Sequence, residues 1–175
     1  MFNKTIQTPE PRFIRFLSSS TGFSIVWLVV RVYVGWQWLV AGWGKLGNPV
    51  WIGSQSGVAL RGFLTGALQK MSGAHPDVSS WYGYLISHIA LPHTVLISHI
   101  VVYGEIVVGV ALILGIFTGI AAFFGAVMNF NYLLAGTISI NPLLLFLELF
   151  LILAWRTAGW FGVDRFLLPS LRKHG

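Results

Sequence analysis

The chain has 175 residues, of which 55% are hydrophobic and only 9% charged, and its net charge is +6. A soluble domain carries about a quarter of its residues as charges, so the composition excludes an ordinary soluble fold and predicts an all-α integral membrane protein. The basic residues gather at the chain ends, which fits membrane topology better than nucleic-acid binding, and the absence of cysteine excludes disulfides, thiolate metal sites, cysteine-ligated iron–sulfur clusters and cysteine nucleophiles.

Residues 1–22 are polar, contain Pro9 and Pro11, and read as an N-terminal cytoplasmic tail in which 12–17 forms a short basic interfacial segment. A membrane-spanning helix takes about 20 apolar residues. Four stretches qualify, 23–46, 94–115, 117–136 and 141–160, which predicts a four-helix transmembrane bundle. The first is too long for the apolar core of a signal peptide, and no A-x-A site follows it. Within it Arg31, Gly35, Trp38, Gly42 and Lys45 recur at spacings of four and three, so they share one helical face. Trp36, Trp38, Trp43 and Trp51 suggest an aromatic belt at its outer half.

The linker at 47–92 is long for a bundle connection. Val58, Leu60, Phe63, Leu64, Ala67 and Leu68 predict one short amphipathic helix, and Trp81, Tyr82, Leu85, Ile86 and Ile89 a second, with a turn at 72–77 between them. These are expected to form an extracytoplasmic cap or re-entrant pair between spans one and two. Spans two and three are joined by only a few residues around Gly115–Gly119 and should be antiparallel neighbours. Asn141-Pro142 is a favourable helix start, with Asn as cap and Pro in the first turn. An even number of spans puts both termini on one side. Lys4, Arg12 and Arg15 before the first span, with Arg165, Arg172 and Lys173 after the last, make that side cytoplasmic. The expected divisions are the tail at 1–22, a membrane domain at 23–169 and a basic C-terminal tail at 170–175.

Ionisable residues inside a bilayer are costly and mark either pairs or sites. Arg31, Glu105 and Glu148 are such residues. At about 1.5 Å per residue, Arg31 lies roughly 12 Å from the inner end of its span and Glu105 roughly 15 Å from the inner end of its own. The two match in depth, so they form either a structural ion pair or part of a site. Glu148 shares a helical face with Asn141 and a depth with Asn129. Lys45, His99, Asn129, Asn141 and Glu148 are expected around one outer cavity with Glu105 as its floor. Glu105, Glu148 and His99 are the proton-transfer candidates. His88, His93 and His99 do not align on one helical face, so no metal site is expected.

Several segments carry a family resemblance: Arg31-Val32-Tyr33-Val34-Gly35-Trp36-Gln37-Trp38 with Ala41-Gly42-Trp43-Gly44-Lys45; Tyr103-Gly104-Glu105 with Gly109 and Leu114-Gly115; Met128-Asn129-Phe130-Asn131 with Ala135-Gly136-Thr137; Asn141-Pro142; and Ala158-Gly159 with Gly162-Val163-Asp164-Arg165. Their order over about 23–169 resembles the DoxX/DoxD family, and within it DoxD, the membrane subunit of thiosulfate:quinone oxidoreductase. The resemblance implies a four-helix membrane protein that oxidises thiosulfate to tetrathionate and passes electrons to membrane quinone, with no metal or haem. It also implies a DoxA-like partner, expected here as a separate subunit or absent, beside membrane lipid and a possible homo-oligomer. On this reading Arg31, Lys45 and Arg61, helped by Asn129 and Asn141, bind the dianion, while Trp38, Trp43 and Tyr103 are the aromatic candidates for stacking on the quinone. The other readings are a non-enzymatic membrane partner of the same family and a small-anion transporter.

Overall fold

A computed structural model describes residues 22–172, without the side chains of 168 and 170–172. Residues 1–21 of the expected 1–22 tail, with its interfacial segment at 12–17, and residues 173–175 of the expected 170–175 tail lie outside the described residues. The regular structure of the described residues is all helical: α1 (Ser24–Leu46), α2 (Val58–Gln69), α3 (Ser80–Leu85), α4 (Thr94–Leu114), α5 (Thr118–Leu134), α6 (Asn141–Leu153), α7 (Trp155–Ala158) and α8 (Asp164–Arg172). The four longest apolar helices, α1, α4, α5 and α6, fall where the hydrophobic stretches predict. Two are long and apolar enough to cross a membrane: α1, and the run from Ser80 to Leu114.

That run is not one regular helix. A π-helical turn (Ile86–Ala90) and a 3-10 turn (Leu91–His93) separate α3 from α4. Pro92 lacks an N–H and cannot sustain the i→i−4 ladder, and the neighbouring turns absorb the defect by widening and tightening. The last predicted span is also shorter than expected. It ends at Leu153, and the chain turns through Ala154 into the single turn of α7.

Glycines determine how closely α1 and α4 approach. A methyl at Gly35 would fall 2.8 Å from the Gly109 oxygen and 2.9 Å from Leu112 Cβ, and one at Gly42 would fall 3.0 Å from Glu105 Cβ. These small residues let the two helices pack backbone to backbone in an antiparallel register. α5 and α6 form the second closely packed pair, and α4 also packs on α5. Trp27, Val34, Trp38, Leu112, Ala122 and Leu151 fill the space between the helices. Leu60, Leu64 and Ala67 of α2 pack with Val78, Tyr82 and Ile86 to make a second core at one end, the cap predicted from the linker. Large apolar side chains cover the outward faces of the bundle, Val29, Trp43, Val107, Phe123 and Phe146 among them. A soluble monomer rarely exposes so continuous an apolar surface.

At the end opposite the cap, Gly115 closes α4 in the left-handed region with φ +69°. The chain then reverses into α5, whose first turn is capped from a distance. Asp164 accepts hydrogen bonds from Phe117 N (2.6 Å) and Thr118 N (2.8 Å). A carboxylate at a helix N-terminus satisfies orphan amides and complements the helix dipole. The predicted capping role of Asn141 is not realised: the α6 cap residue is Ile140, and Asn141 Nδ2 donates to Thr137 O instead (3.0 Å).

Candidate functional site

The shared face of α1 does point inward. Arg31, Gly35, Trp38 and Gly42 are buried and Lys45 is partly buried. The stagger of the helices decides what each meets. Gly42 lies against Glu105 and Ile106, whereas Arg31 lies level with the end of α4, against Gly115 and Gly162. The expected Arg31–Glu105 pair therefore does not form. α1 begins about two turns beyond the end of α4, so depth counted from span ends misplaces Arg31. Its guanidinium donates to Phe161 O (3.0 Å), Asp164 supplies the opposing charge, and Nε and Nη1 have no acceptor.

The partner of Glu105 is Lys45. Its Nζ lies 2.6 Å from Oε2 and 2.8 Å from Oε1, and Tyr132 of α5 donates to Oε1 at 2.8 Å. Glu105 is 1% exposed and the Lys45 side chain 22%, so the ion pair is closed on the carboxylate side and reachable from the lysine side. Lys45 also lies 5.3 Å from the Trp51 ring centroid. This is the arrangement that makes a buried carboxylate tolerable: one cation and one further donor.

A second buried carboxylate sits behind it without a cation. Glu148 accepts from Trp38 Nε1 (2.6 Å) and from Asn129 Nδ2 (2.7 Å). Both Glu148 and Asn129 are fully buried. Gly125 makes room for this contact, because a methyl there would strike Glu148 Oε1 and fall 3.0 Å from Trp38 Nε1. The indole thus acts as a hydrogen-bond donor in this arrangement.

Lys45, Glu105 and Tyr132 form part of the wall of a cavity of about 410 Å³, together with Trp38, Asn129 and Asn141. Leu60 and Phe63 of α2, with Trp51, contribute apolar wall from the cap side. Phe63 packs edge-on against Tyr132, with centroids 6.0 Å apart. Mostly apolar lining with a few convergent polar groups is the usual constitution of a small-molecule site. Glu148 stands behind this wall and acts on it through Trp38 and Asn129.

The other candidates lie elsewhere. His99 bonds its own helix through Val95 O (2.8 Å), stacks on Tyr103 and does not reach the cavity. Trp43 and Tyr103 are 68% and 50% exposed on outward faces. Arg61 makes long contacts to Leu91 O (3.4 Å) and Thr94 Oγ1 (3.5 Å). Arg31 belongs to the opposite end. The expected three-cation anion site is therefore not assembled: of the three, the cavity receives only Lys45, whose charge Glu105 takes. Tyr132 and Asp164, absent from the sequence-based candidates, hold key polar positions. Tyr132 was recognisable as a partner of the Asn129 face, one turn on, but its hydroxyl's target was not. No cluster of metal ligands exists among the described residues.

A DoxX family model matches residues 26–137, a segment that contains Arg31, Lys45, Glu105, Asn129 and Tyr132 and ends before α6 and Glu148. No curated protein and no solved structure matches the chain. Matched over more than half its length, the chain belongs to the DoxX family, a membrane-associated family, in keeping with the two helices among the described residues that are long and apolar enough to cross a bilayer.

Proposed function

We propose that the protein is a DoxD-like membrane subunit of a thiosulfate:quinone oxidoreductase, and that the cavity under the cap is its quinone site. The observation that carries the reading is the Lys45–Glu105–Tyr132 cluster in the wall of an otherwise apolar cavity. On this reading α1, α4, α5 and α6 all cross the cell membrane, the cap is extracytoplasmic and both termini are cytoplasmic. α5 and α6 are short for the task, which a locally thinned bilayer or flanking residues accommodate at modest cost.

The overall reaction joins two thiosulfates into tetrathionate with loss of two electrons, and one quinone takes up those electrons with two protons to give the quinol. Within this scheme the chain's own residues bind and supply protons. Phe63, Trp38 and Tyr132 offer ring faces, and the apolar wall excludes water. The Lys45 ammonium and the Tyr132 hydroxyl are the proton donors nearest the cavity, linked through Glu105, as general acid catalysis requires. Because Lys45 is neutralised by Glu105, the reading places the neutral quinone rather than the thiosulfate dianion in this cavity. It assigns thiosulfate handling to a surface shared with a separate DoxA-like subunit.

The test uses purified protein in lipid, with thiosulfate and a decyl-substituted benzoquinone, alone and with a DoxA-like partner. Quinol formation is expected, and it should fall at least about a hundredfold in Lys45→Met, since removal of a positioned proton donor costs about 10²–10⁴-fold. Absence of quinol under both conditions overturns the enzyme reading.

A further inference from the structure

A bound molecule must complement the polar groups that a cavity leaves unpartnered, because a buried donor or acceptor without a partner is expensive. The floor of this cavity has already committed its Lys45, Tyr132 and Trp38 donors. The three N–H bonds of Lys45 go to Glu105 Oε1, Glu105 Oε2 and Ala41 O. The Tyr132 hydroxyl donates its hydrogen bond to Glu105. Glu148 takes the Trp38 indole N–H and one of the two N–H bonds of Asn129. Among the described residues of the wall, the buried side-chain atom left with no partner is an acceptor. Asn129 is fully buried, belongs to the cavity wall, and its Oδ1 has no partner. Glu105 Oε2 accepts one bond from Lys45 and retains capacity for a second. Gln37, Thr137, Ser139 and Asn141 also reach the cavity, but each is at least partly exposed. Their amide or hydroxyl groups offer a donor and an acceptor alike, so they discriminate neither.

The direction of the Asn129 amide is set by Glu148. Glu148 accepts from Trp38 and from the Asn129 nitrogen, which leaves the Asn129 oxygen free, the arrangement that an ionised carboxylate, an acceptor only, enforces. We infer that Glu148, by orienting Asn129, makes this cavity select ring compounds carrying hydroxyl donors, the hydroquinone class, over the corresponding diones. A dione leaves the buried Asn129 Oδ1 without a partner, whereas a hydroxyl satisfies it directly. The inference rests on the quinone reading and adds to it that the reduced product binds more tightly than the oxidised substrate, so turnover is product-inhibited. Glu148 and Asn129 are positioning and specificity residues in this account.

The test is equilibrium binding, without thiosulfate and under anaerobic conditions, of a decyl-benzoquinone and its hydroquinone to the intact protein in phosphatidylcholine nanodiscs. Quenching of the wall residues Trp38 and Trp51 reports occupancy. The hydroquinone should bind about tenfold more tightly, the effect of one neutral hydrogen bond. In Glu148→Gln the Trp38 indole claims the glutamine oxygen, the glutamine nitrogen faces Asn129, and the Asn129 amide must turn over. Its nitrogen is then the free group, so the preference should reverse toward the dione. Asn129→Leu can neither donate nor accept, and there the preference for the hydroquinone should fall below that of the wild type. Equal binding of the two forms to the wild type, or tighter dione binding, overturns the inference and leaves the quinone reading standing. Binding of neither form overturns both. The wild-type comparison is decisive even if one variant does not fold.

Discussion

The two ends of the bundle use the same ingredients differently. Each takes a cation from α1 and a carboxylate from another element: Lys45 with Glu105 under the cap, Arg31 with Asp164 at the opposite end. Lys45 and Glu105 touch directly, beside a cavity, with the lysine partly exposed. Arg31 and Asp164 do not pair head to head. Each is turned onto backbone, Arg31 onto Phe161 O and Asp164 onto the first amides of α5. Gly115 and Gly162 close over the guanidinium, and a methyl at either would strike Arg31 Nη1. The chain is pinned here as well, by Val163 N to Leu114 O and Asp164 N to Gly115 O. A buried charge is therefore no sign of function by itself. What distinguishes the cap end is a charge pair that a small molecule can reach.

The sharpest way to break this comparison is at the ion pair. Lys45→Met leaves Glu105 buried with Tyr132 as its remaining side-chain donor, and should cost about 3–5 kcal/mol of stability, as for other buried pairs cut on one side. Glu105→Leu should cost less, because Lys45 can turn toward solvent. The double variant Lys45→Met/Glu105→Leu should recover most of the stability lost in Lys45→Met and still form no quinol. Denaturant unfolding in detergent measures the first part and quinone reduction the second. If the double variant keeps turnover, the pair is as structural as the opposite end and the comparison collapses.

At the opposite end the expected effects fall on stability alone. Asp164→Ala removes the acceptor of two backbone amides, that of Thr118 buried and that of Phe117 partly so, and should destabilise by about 1–3 kcal/mol. It should leave the affinity for decyl-benzoquinone unchanged, since Asp164 is remote from the cap cavity. A loss of quinone affinity at unchanged stability would show that the two ends are coupled. Between the two lies Gly125→Ala, whose methyl displaces Glu148 from Trp38. That should cost about 1–2 kcal/mol in stability, within the usual range for overpacking a close-fitted interior.

How far the sequence carried this result differs along the chain. The apolar stretches placed α1, α4, α5 and α6 within a few residues at most ends, because a long hydrophobic run bounded by Gly, Pro or Asn leaves little choice. The amphipathic period in the linker gave α2 and the cap. The 3.6-residue repeat also put Arg31, Trp38 and Lys45 correctly on one face. What no periodicity contains is stagger. Arg31 and Lys45 lie on the same stripe about 21 Å apart, and which of them meets Glu105 depends on how far α1 slides along α4. That slide follows from the close approach of Gly35 and Gly42 to specific residues of α4. The roles of Asp164 and Tyr132 were hidden for the same reason. Each acts across elements far apart in sequence, on a backbone amide in one case and a carboxylate in the other. The face of His99 was also undetermined, since α4 is apolar nearly all round and offers weak guidance on which side turns inward.

That last ambiguity supplies the smallest expected effect. His99 is the only histidine in the interior of a long helix among the described residues, and its expected place beside Glu105 and Glu148 invites a proton-relay role. Its ring nitrogen instead bonds Val95 O one turn back, its face rests on the half-exposed Tyr103, and it is absent from the cavity wall. A self-satisfied residue on an outward face contributes little when replaced, and His99→Leu should shift stability by no more than about 0.5 kcal/mol. Quinone reduction at neutral pH should remain within a factor of two of the wild type, in contrast with Lys45→Met in the same assay. Loss of turnover in His99→Leu with stability intact would mean that protons reach the cavity from the outward face of α4. The contrast between a reachable ion pair and a sealed one would then no longer suffice to locate the chemistry.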